Sequence, residues 1–285
     1  MPPTPKTALV LAGGGSLGAV QAGMLGALTA AGERIDFVVG ASVGAINAGY
    51  FAADPSAAGA ARLEAIWRKI TRNDVMPVSL GTVTNVVLRR GYIFDNIALR
   101  ALLERHIPYK LLEEAAMPIH VIATDVLSGD EVVLSKGPVV EAILASAAIP
   151  GIFPSIRIDG RDLVDGAIAD NTPISAAIRL GASRLIVLPT GFACALRAPP
   201  KGAAARAMNA ISQLVSRQLV KDIEHYADKA QICVAPSLCP LEISPYDYSA
   251  CASLVDQGEA STRAWIAAGG LQSVGTPGAL LEHTH

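Results

Sequence analysis

The chain is short of charge, aromatic rings and paired cysteines. Asp, Glu, Lys and Arg make up 17% of its 285 residues, and 25 acidic against 23 basic side chains leave a net charge of −2. A dedicated nucleic-acid binder needs a basic excess to neutralise phosphates, so that class is excluded. Aromatic residues stand at 5%, too few for base-stacking platforms. The four cysteines, Cys194, Cys233, Cys239 and Cys251, include no CxxC pair, and His225 is their only nearby histidine. No metal site is expected from them. No calcium loop of D-x-D-x-D-G type occurs either. A chain of this size does not need disulfide staples, and the cysteines read as reduced thiols of a cytoplasmic protein.

The chain is instead rich in aliphatic side chains. Hydrophobic residues reach 51%, with 26 glycines, and mean hydropathy is +0.41. Global disorder is excluded, and the composition suits helices packed closely on a buried parallel sheet. From Thr7 to Gly32 no residue is charged, a length sufficient to span a bilayer. Gly13-Gly14-Gly15 in its middle would break such a helix. The expected reading is strand, glycine loop and buried helix.

Hydrophobic periodicity organises the rest. Residues 7–12 (TALVLA) read as a strand, and Leu17, Val20, Met24, Leu28 and Ala31 recur at helical spacing over 16–31. Residues 35–39 and 43–53 repeat the strand and helix, an alternation that implies parallel strands joined by crossovers. Residues 56–112 carry more charge. Helices are expected there near 60–71 and 96–106, around an irregular stretch, as a mainly helical insertion over one end of the sheet. Further strands are expected at 119–126, 131–134, 155–158, 161–164, 185–188 and 231–235. Further helices are expected at 139–147, at 173–180, along the stripe from Met208 to Tyr226, and at 247–268. Asp159-Gly160 between apolar runs marks a hairpin. No linker divides the chain, so a single α/β domain over 1–285 is expected, with a loose tail at 275–285.

Two glycine motifs bear on chemistry. Gly13-Gly14-Gly15-Ser16-Leu17-Gly18 follows a strand, opens a helix and satisfies G-x-G-x-x-G. The dinucleotide fingerprint also needs an acid at the end of the second strand. Here Glu33 and Asp36 precede the strand core, and the strand ends in Gly40-Ala41-Ser42. A glycine loop at a helix N-terminus can instead hold any developing anion. Gly40-Ala41-Ser42-Val43-Gly44 is G-x-S-x-G between strand and helix, the context of a nucleophile elbow. The plainer reading is a tight turn with a capping serine.

A serine nucleophile needs a base. His283 and His285 lie in the tail, His225 off the apolar stripe of its helix, His106 in the charged insertion and His120 inside a strand. None follows a late strand, where an α/β-hydrolase keeps its histidine. Asp165-Gly166-Ala167 stands at a strand end beside small residues, and its carboxylate would reach Ser42 if those two ends adjoin. The plainer reading is a turn aspartate.

Together these elements resemble the patatin-like phospholipases, over about residues 7–190. Gly13 to Gly18 match that family's oxyanion loop, Gly40 to Gly44 its elbow, and Asp165-Gly166-Ala167 its dyad aspartate. The stretch Ala145-Ser146-Ala147-Ala148-Ile149-Pro150-Gly151-Ile152-Phe153-Pro154 resembles its A-S-x-x-x-P-x-x-F-x-P signature, and Asn171-Thr172-Pro173 its N-x-P. The resemblance implies a three-layer α/β/α fold on a mostly parallel sheet and lipid acyl hydrolysis by Ser42 and Asp165. Gly13, Gly14 and Gly15 would supply the oxyanion donors, with no cofactor and no metal. Phospholipid or lysophospholipid is the implied substrate, met during transient contact with a membrane surface. The insertion would line an acyl groove. Arg62, Arg68, Lys69 and Arg72 on one expected helix would face anionic headgroups, or form an ordinary solvated face. One departure is Leu17, where the family often carries Arg or Lys. Thioesterases and acyltransferases use the same elbow, and a nucleotide-binding module would use the glycine loop alone.

Overall fold

The structure, a computed structural model, describes residues 5–191, 202–238 and 243–273. Its elements in chain order begin with β1 (Lys6–Leu11), a 3-10 turn (Gly15–Leu17), α1 (Gly18–Ala30), β2 (Phe37–Ala41) and α2 (Val43–Ala53). The insertion follows as α3 (Ala57–Trp67), α4 (Arg72–Val75), α5 (Leu80–Val87) and α6 (Ile97–His106). Next come β3 (Ile119–Asp125), β4 (Glu131–Leu134), α7 (Val139–Ser146), β5 (Ile156–Ile158), β6 (Arg161–Asp165), α8 (Ala167–Asp170) and α9 (Ile174–Arg179). The chain ends with β7 (Ala182–Leu188), α10 (Ala203–Tyr226), β8 (Gln231–Val234) and α11 (Cys251–Ala267).

Eight strands form one sheet in the order β5-β6-β3-β2-β1-β7-β8, with β4 also paired to β3. The central pairs from β3 to β8 are parallel, and the pairs made by β4, β5 and β6 are antiparallel. Alternation along β1 separates two cores. Leu9 and Leu11 pack with Val20 and Met24 of α1, Phe51 of α2, Leu63 of α3 and Leu254 of α11. Ala8 and Val10 pack with Ile174 of α9 and with Leu219 and Ile223 of α10. Each face of the sheet is thus covered by helices, which is the three-layer α/β/α arrangement. The uncharged stretch that begins at Thr7 is β1, the glycine loop and the buried α1. Among the described residues no helix is long and apolar enough to cross a membrane.

Two readings shift. The second strand begins at Phe37 rather than at residue 35 and runs on to Ala41, so it feeds directly into Ser42. The middle of the insertion is not irregular: it holds α4 and α5, each opened by a capping box at Thr71 and Ser79. Such short helices rest on caps more than on apolar repeats, so periodicity overlooks them. The Asp159-Gly160 turn forms as expected, with φ 49° and 79°, and joins β5 to β6. Residues 275–285 lie outside the described residues.

The register of β3 positions the site. One edge of β3 pairs with β4, Ile122 against Val133 and Ala123 against Val132. Its other edge pairs first with β2, which reaches Ile122 through Ala41, and then with β6, which reaches Ala123 through Asp165. Parallel β2 and antiparallel β6 therefore meet head-on along one edge of β3. Ser42 leaves the end of one strand and Asp165 ends the other.

Candidate active site

Ser42 occupies the turn between β2 and α2 with φ 53° and ψ −125°. A residue with a Cβ rarely adopts that backbone, and it persists only where its surroundings over-determine it. Here they do: Ser42 N–H donates to Ser146 Oγ at 2.9 Å, and Ser42 O accepts from Ala45 N and Ile46 N at 2.9 and 3.3 Å. Gly40 and Gly44 let the turn close, because a Cβ on Gly40 would strike the Gly44 backbone and one on Gly44 would strike the Leu11 backbone. The result points the Ser42 hydroxyl at Asp165, donating to Oδ2 at 2.7 Å.

Asp165 is 4% exposed. Its Oδ1 accepts Ala167 N–H at 2.8 Å. Its backbone is fixed by Thr124 Oγ1 donating to Asp165 O at 2.8 Å and by Asp165 N donating to Ala148 O at 3.0 Å. Gly166 packs against Ile122 O, and its N–H donates to Ser146 O at 3.1 Å. Burial raises the Asp165 pKa to about 6, partly opposed by the hydrogen bonds from Ser42 and Ala167. A carboxylate so poised is ionised at neutral pH yet basic enough to take a proton.

The glycine loop lies against the same serine. An added Cβ on Gly13 would stand 3.2 Å from Ser42 Cβ. Gly13 N–H is already spent, donating to Asn171 O at 3.0 Å, and Gly13 O accepts from Thr190 Oγ1 at 2.6 Å. This corrects the expectation that Gly13 supplies an oxyanion donor. Gly14 and Gly15, with φ 154° and 60°, make no backbone hydrogen bond through N–H among the described residues. On the far side Ser16 N–H donates to Pro245 O at 2.8 Å and Ser16 Oγ to Ser244 O at 3.2 Å. Gly18 packs under Val43 and Trp67. The N-terminus of α2 adds its dipole at Ser42.

A buried polar chain joins this loop to the insertion. Gln21 Nε2 donates to Ala12 O and Leu188 O, both at 2.8 Å. Asn47 Nδ2 donates to Gln21 Oε1 and Gly18 O, both at 2.9 Å, and Trp67 Nε1 donates to Asn47 Oδ1 at 2.8 Å. Trp67 in turn lines a narrow apolar cleft of about 60 Å³ that opens on Ser42 and Gly15, walled by Ile46, Ile66, Leu99, Leu102, Phe153 and Tyr246 among others. The insertion helices α3 and α6 thus form part of the wall, as the sequence suggests.

The periodicity assigned no role to Gln21, Asn47, Thr124, Ser146 or Thr190, although Ser146 lies inside a quoted motif. Uncharged polar residues inside apolar runs were the available signal. Among the described residues no histidine bonds to Ser42 or Asp165. His120 Nδ1 pairs with Ser135 Oγ at 2.7 Å, and burial lowers its pKa. His106 stacks edge-on with Tyr50, and His225 is exposed. The basic group of the insertion is partly consumed by the protein itself. Arg62 pairs with Asp54, Arg68 with Asp256 at 2.6 Å, and the Arg72 guanidinium lies 5.5 Å from the centre of the Phe94 ring. Cys233 and Cys251 are buried and unpaired, while Cys194 and Cys239 lie outside the described residues. No cluster of three or more metal-ligating side chains occurs among the described residues.

The fold and this geometry define an α/β protein built around a buried serine–aspartate pair. The chain belongs to the patatin-like phospholipase family, whose sequence model matches residues 9–178. An uncharacterised NTE family protein of Mycobacterium tuberculosis is 32% identical over 189 residues, covering 65% of this chain and 49% of that protein. A lysophospholipase of Mycosarcoma maydis is 27% identical over 191 residues, covering 64% of this chain and 10% of that protein. The chain thus spans about half the length of the first relative and a tenth of the second. Human GIVD cytosolic phospholipase A2, solved with methyl gamma-linolenyl fluorophosphonate, is 14% identical with a TM-score of 0.49, covering 94% of this chain and 58% of that chain.

Proposed function

We propose that the protein is a serine acyl hydrolase that cleaves phospholipid or lysophospholipid esters. The observation that carries this reading is the Ser42 Oγ to Asp165 Oδ2 hydrogen bond of 2.7 Å at the end of an apolar cleft. Ser42 Oγ attacks the ester carbonyl while its proton passes to Asp165. Gly14 N–H, Gly15 N–H and the α2 dipole stabilise the oxyanion, one such donor contributing about 10²–10³ in rate. Asp165 then returns the proton to the departing alkoxide. Water attacks the acyl-enzyme by the same route, releases the fatty acid and restores Ser42. The cleft walls suit an acyl chain, each buried CH₂ contributing about 0.8 kcal/mol. Leu17 is buried and brings no charge to the loop, so chain rather than headgroup dominates recognition.

A fluorophosphonate should label Ser42 in stoichiometric amount, and a panel of lysophospholipid, diacyl phospholipid and acyl thioester should show fatty acid release from the first two. Absence of labelling, or turnover of the thioester alone, would overturn the reading. Gly15→Val separates catalysis from nucleotide binding. A Cβ at φ 60° would press on Pro245 O and turn the donors away. The expected result is a kcat lowered by about 10² or more with a much smaller change in KM, because the donors act on charge present only in the transition state. Saturable binding of NAD or ATP, together with unaltered turnover in Gly15→Val, would favour a nucleotide-binding module instead.

A further inference from the structure

The segment around α5 is built inside out. The one buried side chain described on this helix is polar: Asn85 is 4% exposed and its Nδ2 donates to Ile93 O at 3.4 Å. Val83, Val86 and Val87 face solvent, Val87 at 73% exposure. Val78, Leu88 and Ile97 extend this face, and residues 78–97 hold seven of the twelve large apolar side chains exposed among the described residues. Scattered single exposures need no explanation, but a concentration of this kind does.

Charge on the segment has one sign. Residues 75–94 contain no Asp or Glu, and their only charged residues are Arg89 and Arg90. Both are exposed, and among the described residues neither makes an ion pair with an acid. The acids at the two ends are engaged: Asp74 caps α4 through Thr71, and Asp95 Oδ1 accepts Ile97 N–H at 3.1 Å. The end of α5 is closed by Arg89 N donating to Val86 O at 3.2 Å and Arg90 N donating to Asn85 O at 3.0 Å. This closure puts Arg89 at φ 51°, a backbone that favours glycine. The chain accepts that strain and keeps a cation beside the valines.

The segment also emerges from the cleft. Val75 and Met76 just before it, and Leu99 and Leu102 just after it, line the cleft that opens on Ser42. The stretch that follows α5 is tied to the loop after α7, Ile93 N donating to Gly151 O at 3.1 Å and Phe94 N to Ile152 O at 2.9 Å, beside the cleft residues Ile149 and Phe153.

We propose that this segment is the protein's membrane-docking surface, with the α5 valines entering a bilayer and Arg89 and Arg90 meeting anionic headgroups. An apolar face flanked by cations is what an interfacial helix presents to such a surface. A symmetric contact of this segment with a second copy would cover Arg89 and Arg90 with no acid on residues 75–94 of either chain to pair them. Docking brings the cleft to the lipid, so that an acyl chain slides from the leaflet toward Ser42 without crossing water. The purpose assigned to the surface rests on the hydrolase reading, whereas the binding itself does not.

Co-sedimentation with vesicles tests it, using phosphatidylcholine alone and phosphatidylcholine mixed with phosphatidylglycerol. The wild-type protein should bind the mixed vesicles more tightly. Val86→Asn/Val87→Asn should weaken binding to both compositions about tenfold or more. Arg89→Gln/Arg90→Gln should erase the preference for phosphatidylglycerol. Both variants should hydrolyse soluble p-nitrophenyl butyrate like the wild type, which shows that fold and site are intact. Ser42→Ala should bind vesicles normally while hydrolysing nothing, so loss of the hydrolase reading and loss of the docking reading are separate results. Binding within about twofold of wild type in the valine variant, or no vesicle binding by the wild type, would overturn the proposal. So would a wild-type dimer in sedimentation equilibrium that the valine variant dissolves.

Discussion

Ser42→Ala is expected to lower acyl-ester turnover by about 10⁴-fold or more. The Ser42 hydroxyl donates to Asp165, and among the described residues no histidine bonds to either partner of the pair. Removing the hydroxyl also takes a donor from a buried carboxylate. Asp165 Oδ2 loses the 2.7 Å hydrogen bond, a loss of about 1–3 kcal/mol for a buried charged acceptor. Ser42→Ala should therefore fold with a thermal midpoint lowered by a few degrees. Ser42→Gly makes the cause visible. It removes the same hydroxyl and abolishes turnover equally, but glycine adopts φ 53° without the strain of a Cβ, which returns about 1 kcal/mol. Its midpoint should exceed that of Ser42→Ala. Turnover of p-nitrophenyl butyrate within about tenfold of wild type in Ser42→Ala would remove Ser42 as the nucleophile.

Much of this arrangement is legible in the residues because it depends on local rules. TALVLA followed by three glycines can form a buried strand and a loop but not a long helix, and that is what β1 and the loop before α1 do. Asp159-Gly160 dictates its own turn. In the residues themselves the Ser42–Asp165 pair is legible only as two motifs, and only the family resemblance joins them. That they meet follows from β2 and β6 sharing one edge of β3, a register set across more than a hundred residues that no local pattern encodes. Gly13 looks equivalent to its neighbours in sequence, yet Asn171 O takes its N–H, a contact fixed by the chain's return after β6. The valine face of α5 was hidden for a different reason. Periodicity assumes that apolar residues face inward, and the one buried side chain described on α5 is Asn85.

Asp165→Asn should separate activity from stability in opposite directions. In the proposed mechanism Asp165 is the general base, a role worth about 10²–10⁴ in rate, and the amide cannot accept the Ser42 proton. Wild-type kcat/KM should rise with pH and level off above about 6, the pKa to which burial lifts the carboxylate from 3.8. The residual rate of the variant should show no such inflection. The effect on stability has the other sign. A carboxyl whose folded pKa exceeds its unfolded one favours the protonated folded state, so its ionisation opposes folding. That penalty is absent below pH 3.8, grows between 3.8 and about 6, and is complete above 6. A shift of about two units corresponds to about 3 kcal/mol. Asparagine carries no charge to bury. Its oxygen can keep the Ala167 N–H bond and its NH₂ can donate to a reoriented Ser42 hydroxyl, so neither partner is orphaned. The thermal midpoint of Asp165→Asn should thus lie about 2–6 °C above wild type at pH 8, with the difference vanishing near pH 4. Turnover within about tenfold of wild type would remove Asp165 as the base, and a midpoint lowered equally at both pH values would make it a structural acid.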